Sequence, residues 1–160
     1  MISFLKVHTA RLGTRAAKDP DAFVVMRDGP PNGHPFAPSW ELLQPVLDAR
    51  HVSRAGFAGA DEAMREDLRE RAREIEHAAW RAYVPGFMAE MRKSYRRDRL
   101  AWIELLGRER VVLLCSCQSP ERCHRTILAR VILPALGAKY VGELASHRKS
   151  IDIEQIEIAT

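Results

Sequence analysis

The chain has 160 residues, 46% of them hydrophobic and 29% charged, with 25 Lys and Arg against 21 Asp and Glu. That mixture excludes a largely disordered chain, and no apolar run approaches the roughly 20 residues that span a bilayer. The net charge of +4 permits anionic partners without demanding them. Three cysteines confined to residues 115–123 are too few and too close for a disulfide framework. The expectation is a single domain over 1–160 in the reducing cytoplasm, away from membranes.

Residues Ile2 to Val7 read as a short buried strand, and Ala22 to Met26 (AFVVM) as a second, ending at Arg27. The stretch DGPPNGHPFAP, 28–38, holds four prolines and two glycines and reads as a loop long enough to carry function. Ser39 reads as the N-cap of a helix, SWELLQPVLDAR, which Pro45 should kink or divide. Gly56, Gly59 and Ala60 mark a further loop. From Asp61, the residues Met64, Leu68, Ala72, Ile75 and Ala79 recur near the helical period among charges of both signs, a salt-bridged surface helix. Pro85 and Gly86 should interrupt it. Another helix then carries Phe87, Met91, Tyr95, Trp102 and Leu106 near one face and closes at Gly107.

Val111–Cys115 is apolar at both parities, the pattern of a central strand buried on both faces. Ser119, Pro120 and Glu121 read as N-cap, first residue and dipole-matched acid of a helix that runs to about Leu136. Its residues Ile127, Leu128, Val131 and Ile132 should cover the sheet. KYVGEL, 139–144, reads as a late strand, and the alternating tail SIDIEQIEIA as an edge strand or an ordered appendage. This alternation of strands and helices predicts an α/β fold, with three layers and a mainly parallel sheet. A right-handed crossover should make Val111–Cys115 and KYVGEL parallel neighbours.

The segment LLCSCQSPERCHR, 113–125, holds all three cysteines, one histidine and two arginines, beyond the carboxyl end of the central strand. Three readings of it stay open. A thiol at a helix N-terminus is activated, and the same terminus holds an anion, with Arg122 and Arg125 adding charge. Alternatively, Cys115, Cys117, Cys123 and His124 suit zinc. The third reading is packing of cysteines as small buried hydrophobes, which fits Cys115 best. No stoichiometric zinc and no other cofactor are expected, because neighbouring Cys123 and His124 on a helix would diverge by about 100°. The cysteine-to-arginine spacing of six that marks phosphotyrosine-phosphatase and rhodanese loops is absent: six after Cys115 is Glu121, and six after Cys117 is Cys123.

VVLLCSCQSPERCHRTILARVI followed by LGAKYVGE resembles the domain of unknown function 488 family, whose members carry a strand ending in Cys and a Cys-His-Arg helix start. FAPSW at 36–40 and MRKSYRRDRLAWIELL at 91–106 add to the resemblance. It implies a Rossmann-like fold and a loose link to nucleotides or nucleic acid, and no reaction.

The basic run 91–99 reads first as a solvated face. Its alternative is that Tyr95 with Arg96 or Arg99 reaches an anion, as Arg27 does from its strand end. Trp40 and Trp102 read as core or partial core, and His34 as an exposed loop residue. The reading is a pocket for an anionic small molecule, nucleotide or nucleic acid. Cys117 or Cys123 would be the reactive thiol, His124 the acid/base, and Arg27, Tyr95, Arg99, Arg122 and Arg125 the substrate contacts. A non-catalytic anion-binding module and a structural zinc domain are the alternatives, and the oligomeric state is open.

Overall fold

The computed structural model describes residues 3–144 and the backbone of Ser150–Ile151. Four parallel strands form an α/β sheet in the order β2 (Ala22–Val24), β3 (Arg110–Cys115), β1 (Lys6–Arg11) and β4 (Lys139–Leu144). A short antiparallel β5 (Ser150–Ile151) pairs with β4 at the edge, where the tail was expected; residues 152–160 lie outside the described part. β3 is central, with Val111 to Leu114 buried between β2 and β1. It does not neighbour β4 as expected, because β1 inserts between them. The first strand also runs later than its apolar letters suggested. His8 and Thr9 break that pattern, yet Lys6–Arg11 is flanked on both sides and Thr9 is fully buried.

α1 (Trp40–Arg54) starts at Ser39, whose hydroxyl accepts from the Leu42 N–H, and it continues through Pro45 without dividing. α2 (Glu62–Arg97) likewise passes Pro85 and Gly86 as one helix of 36 residues, where two were expected. Tertiary packing outweighs the lost N–H: Trp80, Tyr83, Phe87 and Met91 form the buried stripe across this very segment. Gly86 serves close approach to α1, since a Cβ there would meet Leu42 Cδ1 at 2.5 Å. The N-terminal half of α2 is surface, laced by pairs such as Arg65–Glu62 (3.3 Å) and Arg71–Asp67 (3.4 Å). α3 (Arg99–Leu106) follows after Asp98. Its Trp102 is buried and donates to Ser94 Oγ, whereas Trp40 is 49% exposed, partial core at most.

Among the described residues all five helices contribute to one apolar cluster, on the face of Val7, Val111 and Leu113. Ala10, Val112 and Leu114 face the other way, against Leu12 and Ala16 of the β1–β2 connection. Right-handed crossovers account for the asymmetry. β2→β3 and β3→β4 step in one direction and share a face, whereas β1→β2 steps back and must cross on the opposite one. That connection holds only a 3-10 turn (Arg15–Lys18), so the expected third layer is reduced to it.

The helix after β3 begins later than expected. Ser119 Oγ accepts from Glu121 N–H in a local turn, and α4 (His124–Ile127) starts only after Cys123, whose backbone is extended. α4 passes through a π-helical turn (Leu128–Ile132) into α5 (Leu133–Ala135), and Gly137 at φ +98° ends it. Ile127 and Leu128 face the core, while Val131 is exposed. No described helix is long and apolar enough to cross a membrane.

Candidate functional site

β2 and β3 are parallel neighbours, so their carboxyl ends deliver Val25 and Cys115 to one edge of the sheet, where α/β proteins place ligands. The chain leaves β3 through Ser116 and Cys117, turns at Ser119–Pro120, and returns at Cys123. Thr126 Oγ1 donates to the Pro120 carbonyl and holds that turn against α4. Cys123 adopts an extended N-cap conformation, not a helical one, and this overturns the geometric ground for excluding a metal. Its side chain does not diverge from that of His124. Cys115 Sγ, Cys123 Sγ and a His124 ring nitrogen lie within 4.8 Å of one another, all buried.

His124 Nε2 contacts the Val25 carbonyl, which can only accept, so this nitrogen donates. Nδ1 faces Cys115 Sγ at 3.9 Å and Cys123 Sγ at 4.0 Å. The Phe87 ring packs edge-on against the imidazole and fixes its plane. Cys117 is the partly exposed thiol of the three. Its sulfur accepts from Cys115 at 3.7 Å and from Arg50 Nη1 at 3.6 Å.

Mutual contact and burial set the acidity of Cys115 and Cys117. The hydrogen bond to Cys117, above all, pushes the Cys115 thiol up to about 11. The bond from Cys115 pulls the Cys117 thiol down, but the bond to Cys123 and burial outweigh it, and the net direction is up.

Two cavities meet at Cys117. One, of about 250 Å³, is lined by Arg50, Arg54, Arg122, Glu76, Ser119 and Glu121. The other, of about 150 Å³, is lined by Arg27, Trp40, Leu43, Leu47, Cys115 and His124. A family model described as the active DUF488-N3 subclade matches residues 7–136, which include this whole motif. The chain belongs to the DUF488-N3a family. No curated protein and no solved structure matches it.

In this DUF488-N3a chain the residues singled out from sequence separate into three places. Cys117, Cys123, His124 and Arg122 surround the loop, and Arg27 lines the smaller cavity while its guanidinium donates to the Ala37 and Pro38 carbonyls. Tyr95 and Arg99 are elsewhere: Tyr95 packs on Trp102, and Arg99 stacks over the Tyr95 ring at 5.2 Å. Arg125 does not face an anion as expected. It is 1% exposed, and its Nε donates to Glu143 Oε1 at 2.9 Å. Its Nη1 donates to the Cys117 carbonyl at 3.1 Å and to Cys123 Sγ at 3.3 Å. It is a structural arginine that braces the loop from below.

Two residues that contact the motif were missed in the sequence. Glu143 left a signal, a lone carboxylate inside the strand KYVGEL. Arg50 left none, because on α1 it reads as one more surface cation; only the fold carries it to Cys117, to Glu76 (Nε to Oε1, 3.8 Å) and to the Arg122 carbonyl.

Proposed function

We propose that this protein is a cytoplasmic enzyme, on a Rossmann-like frame, that acts on a phosphate-bearing substrate such as a nucleotide or nucleic-acid end. Cys117 is its reactive thiol. The observation that carries this reading is the contact of Cys117 Sγ with Arg50 in a cavity that also presents Arg54 and Arg122. Guanidinium groups suit phosphate through paired N–H donors. Glu76 neutralises part of that charge, with Arg122 Nη1 at 3.7 Å and Arg50 Nε at 3.8 Å from the same oxygen. An incoming anion therefore competes with one carboxylate. The second cavity, with half-exposed Trp40 and Leu43 and Leu47, suits a flat apolar group such as a base. The family description, which calls this subclade active, supports an enzyme.

A second reading, a binding module that only recognises the anion, is favoured by the upward direction of the Cys117 thiol, which keeps it protonated at neutral pH. Both readings share the anion site. Phosphate and nucleoside phosphates should raise the melting temperature of the wild type, and the shift should vanish in Arg50→Ala. Equal shifts in the two proteins remove Arg50, and with it this cavity, from ligand binding.

A further inference from the structure

We propose that Cys115, Cys123 and His124 bind a zinc ion, with the fourth ligand position open toward Cys117. The inference concerns the groups beneath the loop and stands apart from the anion reading above.

Four observations converge on it. The first is distance. Zn–S bonds of about 2.3 Å and Zn–N bonds of about 2.0–2.1 Å in a tetrahedron set S···N edges of about 3.6 Å. His124 Nδ1 lies 3.9 Å and 4.0 Å from the two sulfurs, so those two edges need a shift of only a few tenths of an ångström, and the sulfurs lie within 4.8 Å of each other.

The second is the tautomer. Nε2 is committed as a donor to the Val25 carbonyl, which in the neutral imidazole leaves the Nδ1 lone pair aimed between the thiols. A carbonyl on the far ring nitrogen is the outer-shell partner that metal-bound histidines use to fix their orientation.

The third is the outer shell of Cys123. Arg125 Nη1 donates to its sulfur at 3.3 Å, which stabilises a thiolate. The arginine's own charge is met by Glu143, so it adds no net charge against a cation.

The fourth is charge. Binding forms two S–Zn bonds and one N–Zn bond and releases the two thiol protons to solvent. The divalent ion then balances two thiolates, and the Arg125–Glu143 pair balances itself, so the buried assembly is neutral. Two sulfurs and one imidazole suit zinc among the common divalent ions. Three protein ligands with one open position are the arrangement of a catalytic rather than a structural zinc. Cys117 Sγ, 3.7 Å from Cys115 Sγ and bordering both cavities, lies where the ion and an incoming ligand would meet.

The test uses the full-length, reduced and chelator-treated protein, titrated with Zn²⁺ against a chromogenic chelator and, in parallel, with Co²⁺. One equivalent per chain is expected, with cobalt showing the sulfur-to-metal charge-transfer band and the visible spectrum of a tetrahedral site. Cys123→Ser and His124→Gln should weaken binding by more than about 100-fold, beyond the loss an outer-shell change causes. Cys117→Ser should keep one equivalent. Wild-type protein that takes up no metal, or whose cobalt complex lacks thiolate bands, overturns the site whatever the variants do. Loss of metal in Cys117→Ser equal to that in Cys123→Ser overturns the open fourth position.

Discussion

Arg125 and Glu143 are a buried ion pair, with side chains 1% and 4% exposed. Such a pair contributes little net stability when formed, because both charges lose their water, but removing one partner leaves the other unsolvated. Arg125→Ala should therefore cost about 3–5 kcal/mol in urea unfolding. Arg125→Lys should restore little of it: a single ammonium cannot serve the Glu143 carboxylate, the Cys117 carbonyl and Cys123 Sγ at once. A loss under about 1 kcal/mol for Arg125→Ala would mean that the guanidinium is solvated after all.

At the scale of elements, close approach decides more than backbone propensity does. Gly33 lies in the 3-10 turn Pro31–Phe36, and a Cβ there would run into the Val24 carbonyl oxygen, which is fixed backbone at the end of β2. Gly33→Ala should cost about 1–3 kcal/mol or more through displacement of that turn. Gly86→Ala is the contrasting case. Leu42 Cδ1 can rotate away, and alanine recovers roughly 1 kcal/mol of helix propensity, so a net change within about 1 kcal/mol is expected. Denaturant midpoints at unchanged slope measure both; a neutral Gly33→Ala would show the turn is not seated on β2. The same contest explains which elements were legible in the sequence. β3 was, because five successive apolar residues have few homes other than a central strand. The unbroken α2 was not, because Pro85 and Gly86 are breakers locally and only the packing of Tyr83 and Phe87 on the sheet overrides them. The start of α4 was misplaced because Ser119 caps a turn as readily as a helix.

For the whole molecule, acid stability follows from the thin face of the sheet. His8 is held below its ordinary range by burial and by the Arg110 guanidinium, with Lys6 adding to the effect and Asp19 opposing it. Its folded pKa is lower than its unfolded one, so its contribution is present above about pH 6.5 and is lost as pH falls through the folded value. The Arg110 hydrogen bond at 2.8 Å lowers the Asp19 carboxyl. That contribution is present above about pH 3.9 and is lost only below it. The melting temperature should thus fall in two stages on acidification, and His8→Gln should remove the upper stage; an unchanged upper stage would assign it to another group. The α/β class and the placement of the cysteine motif beyond the β3 carboxyl end were readable, since strand and motif adjoin in the chain. The partners of the motif were not, because Val25, Arg50 and Glu143 reach it from three other elements. The central claim, that Cys117 is the reactive thiol of an arginine-lined anion site, is tested most directly by site-resolved alkylation of the reduced protein at neutral pH. Cys117 should be modified first, a nucleoside phosphate should slow it, and Arg50→Ala should abolish that protection. Modification of Cys115 or Cys123 as fast as Cys117, or a rate indifferent to the nucleotide, would contradict the account.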